Sequence, residues 1–257
     1  MAAPNNERPV IVAFTLDFET GGLNCQDCAC TQIAIHAVRI DTFETIDKYV
    51  RYIAPYCQQE NKGTSKRKVL KSKYDNEQTP MKYEQAALTY SAITMDMLES
   101  MGEDIVQVAN DVIQFIERNT MIKKVNMKPF FIGQNIGFDI GFLQQMMEYA
   151  GLMKEFKKLV RGSVDFYGNF QPLCIDTILL GQFAFSHLEG INSYKLELLA
   201  ERLGVELDDA HDADADVTAT TNVAMVCAKR MRCTNGSGDD GGLVVNKAEK
   251  SRSHFRI

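Results

Sequence analysis

The chain has no apolar run near the ~18 residues that a membrane-spanning helix needs. Its first residues, MAAPNNERP, lack the charged start and apolar core of a secretory signal. No membrane role is expected, and the location expected is cytoplasmic. An even cysteine count is also missing: there are seven, which argues against a disulfide framework. Cys25, Cys28 and Cys30 form C-x-x-C-x-C, but no second C-x-x-C or H-x-x-x-H follows to complete a zinc site, so reduced, partly buried thiols are expected. Net positive charge is absent too. The net charge is −6 but unevenly spread, because Lys62 to Lys73 holds six basic side chains and no acid. There is no internal repeat.

What the chain does have is a spaced set of acids. Asp17 and Glu19 lie in LDFETGG, Asp139 in GQNIGFDIGFL, and His211 with Asp216 in AHDADADVTAT. Residues 10–19, VIVAFTLDFE, are β-branched and aromatic enough for a buried strand, which Thr20, Gly21 and Gly22 stop. Strand side chains alternate, so Asp17 and Glu19 point to one side, about 6 to 7 Å apart along the chain. Two carboxylates there repel each other unless a cation sits between them, and oxygen-only ligands favour Mg²⁺ or Mn²⁺. Asp139 follows a second apolar strand at 129–134 and opens a helix running to about Ala150. Phe142, Leu143 and Met146 extend its stripe, so Asp139 faces the sheet. Asp216 repeats the device on a last helix at about 213–231, sharing a face with Ala219, Thr220, Val223 and Cys227. His211 precedes that helix, with Asp212 as its N-cap, and from a loop can swing over the acids as a general base.

These three blocks resemble, in order and content, the exonuclease motifs of the DEDDh exonucleases, the DnaQ-like group that includes the proofreading epsilon subunit of DNA polymerase III. The resemblance spans about residues 10–231 and takes in CIDTILLG at 174–181 and SYKLELLAERLG at 193–204. It implies a ribonuclease H-like fold and 3′-to-5′ removal of nucleoside 5′-monophosphates from single-stranded 3′ ends. Asp17, Glu19, Asp139 and Asp216 are then the ligands of two Mg²⁺ or Mn²⁺ ions, and His211 the base that activates water. Thr20 and Leu23 match positions that touch the terminal nucleotide. Three departures concern substrate preference: Gln134 stands where many members have histidine, Gly21 replaces a frequent second threonine, and an insertion falls at about 57–82. DNA is the favoured substrate, in proofreading or end trimming, with a DNA polymerase or other replication protein as a possible partner. A 3′-5′ exoribonuclease is the alternative within the family, and a noncatalytic end-binding or polymerase-accessory module the alternative outside it.

The expected architecture is α/β. Strands at about 10–18, 31–40 and 45–53 form an antiparallel meander turned at Asp41-Thr42. Helices follow near 92–100 and 104–118, then the strand at 129–134, a fifth strand around 172–176, and helices at 138–150, 193–204 and 213–231. The sum is a mixed five-stranded sheet flanked by helices. Residues 1–9 form a flexible N-terminus, 10–232 the exonuclease domain and 233–257 a flexible tail, which is either disordered or a tethered docking peptide. Within the insertion, Lys66, Arg67 and Lys68 read equally as phosphate contacts or as part of a solvated loop. The strand ends around Leu23 and Phe138 are the other candidate path for nucleic acid. His36 reads as a packed or surface strand residue.

Overall fold

The computed structural model describes residues 10–59, 79–120, 127–206 and 213–232. The expected terminal segments, most of the insertion with Lys66, Arg67 and Lys68, and also His211 and Asp212, lie outside them.

Three strands, β1 (Val12–Thr20), β2 (Cys30–Arg39) and β3 (Thr45–Tyr52), form the expected antiparallel meander. Two more, β4 (Phe130–Gly133) and β7 (Cys174–Asp176), run parallel to β1, giving the order β3-β2-β1-β4-β7. β1 and β2 are covered on both faces and read as near-continuous apolar runs, as central strands must. On one face, α3 (Ile105–Asn119), α4 (Ile136–Tyr149) and α5 (Met153–Leu159) close over Phe14, Phe115, Phe131, Phe142 and Phe156. The aromatic pairs there, Phe14 with Phe115 at 5.8 Å and Phe131 with Phe156 at 6.0 Å, tie helices to strands. The other face is covered by α8 (Ala213–Arg232), backed by α6 (Thr177–Phe185) and α7 (Leu196–Leu203). Thr221 on α8 donates its hydroxyl proton to Thr15 of β1 at 2.9 Å in the buried seam.

Several elements differ from the sequence reading. The helix expected near 92–100 is α2 (Met95–Met101), and a further helix that was not expected, α1 (Gln85–Tyr90), precedes it. Ala92, at φ 54°, breaks the path, and Thr94 caps the second helix by accepting from the Met97 amide. α5, α6 and a hairpin of β5 (Gly162–Val164) with β6 (Phe170–Pro172) were not expected. The fifth strand is shorter than 172–176 because Pro172, with no amide proton, belongs to β6, and Asp176 turns the chain by capping α6 through the Ile178 amide.

The two described ends of the insertion are held together. Gln58 N–H donates to Thr79 O at 2.7 Å, and Met81 N–H to Tyr56 O at 3.1 Å, with Cys57 bridging Pro80 in antiparallel sense. From there Met81 to Glu84 runs beside the end of β1. Ala29 N–H donates to Lys82 O, and Glu84 N–H to Gly21 O. A Cβ at residue 21 would lie 2.5 Å from Lys82 O, so the departure from threonine at Gly21 is a requirement of this close approach.

Candidate active site

The last turn of β1 sets the geometry. Its ladder to β4 stops at Thr15 opposite Ile132, while the pairing to β2 continues to Thr20. Beyond Thr15 the β4 side of β1 is therefore open, and the Phe18 N–H finds the Asp139 carboxylate at 2.9 Å instead. Asp139 sits in the first turn of α4 and is only 2% exposed. Asp17 and Glu19 share the opposite set of alternating positions, and α8 brings Asp216 to them. One ligand oxygen from each of Asp17, Glu19 and Asp216 lies within 4.8 Å of the others, the one such group of possible metal ligands among the described residues. Asp139 stands beside this group rather than in it, close enough for its charge and that of Asp17 to interact.

The electrostatics follow from burial and like charge. Burial first, then the Asp216 carboxylate, pushes Asp17 up to about 7. Asp139 is raised well above the usual carboxylate range by burial and by Asp17, against the lowering effect of the Phe18 amide. Acids held this way resist ionising together, and a divalent cation among them removes the penalty. The donor set is all oxygen and suits a hard ion. No three thiols join such a group among the described residues. Cys25, Cys28 and Cys30 are free, and burial pushes the Cys30 thiol up to about 12. Gln145 of α4 ties the segment carrying them to the helix, donating to Cys25 O at 2.6 Å and Cys28 O at 2.9 Å.

The carboxylates lie at one side of a cleft of about 940 Å³. Thr20, Leu23 and Phe138 line it. Leu23 is 85% exposed, Phe138 leans on Phe142 at 5.0 Å, and the Thr20 hydroxyl is occupied in donating to Gly22 O at 2.8 Å. Gln134 holds a wall, donating to Tyr194 O at 2.7 Å while accepting from the Thr177 hydroxyl. Among the lining residues that escaped the sequence reading, two have side chains suited to contact a substrate. Tyr90, 65% exposed at the end of α1, is raised by burial and by the charges of Glu197, Asp216, Glu19 and Asp17, which places its hydroxyl in the field of the acids. Lys195 is the one cation lining the cleft among the described residues. Neither carried a sequence signal, since α1 was not expected and Lys195 is one lysine of many.

His36 was expected to be a packed or surface strand residue and is fully buried. Its Nε2 bonds the carboxylate of Asp214 in the first turn of α8, which Lys48 Nζ also reaches at 3.2 Å. The cluster thus pins the turn that carries Asp216. Burial holds His36 below the usual histidine range against the pull of Asp214. A base with a lowered folded pKa is neutral in the fold and protonated first in the unfolded chain, so its contribution is lost as pH falls below about 6.5. Replacing His36 by glutamine is expected to cost about 1–3 kcal/mol at pH 8. The wild-type minus variant difference in thermal unfolding should shrink toward pH 5, and a difference independent of pH would show that His36 is not neutral in the fold.

Comparison with known proteins agrees with this geometry. Over 230 residues the chain is 25% identical to the 3′-5′ exonuclease DinG of Bacillus subtilis (strain 168), covering 89% of this chain but 18% of that protein. A structure of exonuclease I, described as suggesting how processivity is achieved, superposes with a TM-score of 0.58 at 20% identity, over 85% of this chain and 41% of that one. E. coli exonuclease I in complex with a dA16 oligonucleotide gives 0.57 at 20% identity, with the same coverage. This chain therefore spans less than half the length of these relatives, and the structural likeness shows the fold, which is ribonuclease H-like. The RNase_T family model, described as an exonuclease, matches residues 14–224, from the middle of β1 to the middle of α8, and the chain belongs to that family.

Proposed function

We propose that the chain is a metal-dependent 3′-5′ exonuclease that releases nucleoside 5′-monophosphates from single-stranded 3′ ends, DNA by preference. The observation that carries this reading is the convergence of Asp17, Glu19 and Asp216, with buried Asp139 behind them, on an open cleft wide enough for a nucleotide. The relatives add support: one is named a 3′-5′ exonuclease and another was solved with a DNA oligonucleotide.

On this reading Asp17, Glu19 and Asp216, with Asp139, hold two Mg²⁺ or Mn²⁺ ions. When bound, such ions lower the pKa of the attacking water and stabilise the departing oxygen. His211 takes the proton of that water. The water oxygen bonds to the terminal phosphorus, the bond from phosphorus to the 3′ oxygen of the preceding nucleotide breaks, and that oxygen takes a proton from solvent, so the shortened strand keeps a 3′ hydroxyl. Leu23, Phe138 and Thr20 receive the terminal nucleotide, Lys195 faces its phosphate side, and Lys66, Arg67 and Lys68 add contacts that ignore sequence.

The test uses matched DNA and RNA oligomers labelled at the 5′ end and incubated with Mn²⁺. The expected result is a ladder that shortens from the 3′ end, faster on DNA, and stops when the metal is chelated. Faster loss of RNA would move the substrate to the exoribonuclease alternative. No shortening of either would leave only the end-binding module.

A further inference from the structure

The β5–β6 hairpin carries two aromatic side chains that the fold does not use. Phe166 and Tyr167 are 96% and 84% exposed, with ring centroids 5.5 Å apart and edge-on. Single exposed apolar residues are ordinary. Here the turn that presents the pair is locked. The Asp165 carboxylate accepts the amides of Tyr167 at 2.9 Å and Asn169 at 2.8 Å, and the side-chain amides of Asn169 and Gln171. The Asp165 N–H donates to Asn169 O and the Gly168 N–H to Asp165 O, with Gly168 at φ +86° where a side chain would be strained. The turn that presents the rings is therefore set before any ligand arrives.

Cations stand at the root of this hairpin. Lys154, Lys157 and Lys158 of α5 and Arg161, just before β5, are all exposed, with Glu155 the single acid among them. The Lys157 ammonium lies 6.0 Å from the ring of Phe170, which pairs with Val164 in the hairpin, and Lys128 shares a recess with Lys158 and Glu117. In a chain of net charge −6 this is a concentrated basic patch. Apart from Val164, the exposed hairpin residues Ser163, Asn169 and Gln171 are polar, so it is the basic side chains at the root that give the surface its character.

We propose that the hairpin tip and α5 form a second contact surface for single-stranded nucleic acid, with Phe166 and Tyr167 stacking on bases of any sequence and the lysines and Arg161 following the phosphates. The root lies at the end of the sheet opposite the carboxylates: Arg161 N–H donates to Pro129 O, ahead of β4, and Leu173 N–H to Arg161 O, ahead of β7. A strand engaged at the cleft must be long to reach it. The surface deepens the exonuclease reading, and its binding test does not depend on cleavage.

Binding of a fluorescent oligothymidylate of about 30 nucleotides to the full chain, with metal chelated, is compared with Phe166→Leu/Tyr167→Leu and with Lys154→Ala/Lys157→Ala/Lys158→Ala. The leucine pair is expected to weaken binding about 10- to 100-fold, and Phe166→Tyr to retain it. The alanine triple should reduce the slope of log affinity on log salt by about 2. Thermal unfolding should be unchanged throughout. With metal present, KM for the long oligomer should rise while kcat, and turnover of a trinucleotide, stay at wild type. Unchanged affinity in both variants overturns the surface. Full affinity in the leucine pair with loss in Phe166→Ala/Tyr167→Ala overturns the stacking role, because it marks an apolar contact that does not need a ring. A chain that binds through the hairpin but cuts nothing overturns the exonuclease reading and leaves this one standing.

Discussion

Asp17→Asn or Asp216→Asn is expected to lower nuclease turnover by at least about 10³-fold, equivalent to ~4 kcal/mol of barrier, while raising the thermal stability of the metal-free protein. Both effects have one origin. Asp17 is pushed up to about 7 by burial and by Asp216, so the folded chain holds a proton there that the unfolded chain gives up near 3.8. The folded state thus binds more protons between these values, and its stability falls as pH rises from about 4 to 7. Above that range the folded state carries the full repulsion unless a cation offsets it. An amide at either position removes the repulsion and, with it, a ligand that a divalent ion needs. Unfolding followed from pH 4 to 8, with and without Mg²⁺, should show a decline that metal reverses in the wild type and that is shallower in the Asp17→Asn protein, where buried Asp139 still holds its proton above the usual range. Near wild-type turnover in either variant at saturating Mg²⁺ would sink the metal assignment.

His211→Ala is expected to lose about 10²- to 10⁴-fold in turnover with a much smaller change in substrate affinity. A histidine that must be neutral to take the proton gives a rate that rises with pH as it deprotonates, and that rise should disappear in the variant. The distinction from Asp17 is readable, because His211 should not alter the metal-dependent stability that the carboxylates control. An alanine protein with the wild-type pH profile would show that another group activates the water.

Much of this arrangement was legible in the sequence because it rests on short-range rules. The period of two in LDFE put Asp17 and Glu19 on one side, and the apolar positions after Asp139 and Asp216 turned both helices inward, as the burial of Phe142, Leu143, Met146, Val223 and Cys227 shows. The antiparallel meander of β1 to β3 followed from three consecutive strand patterns with a short turn at Asp41-Thr42. What stayed hidden depends on contacts between distant segments. Nothing in TILLGQFAF marks a helix start until Asp176 is seen capping it, and the Ala92 kink that splits α1 from α2 has no glycine or proline to announce it. His36 was read as an ordinary strand residue, since its partner Asp214 is remote in sequence and an alternating pattern does not name a cross-fold partner.

The paired ends of the insertion bear on which changes the fold tolerates. Gln58 to Thr79 and Tyr56 to Met81 close like the base of a hairpin, and the strip from Met81 to Glu84 is fastened separately to Ala29 and Gly21. Because the ends are anchored by their own hydrogen bonds, doubling the length of a flexible connection between two such points costs only about 0.6 kcal/mol of closure entropy. A single methyl group at Gly21, by contrast, would meet Lys82 O at 2.5 Å and press on the strip from Met81 to Glu84. Length between the anchors is cheap to change, and volume beside them is not.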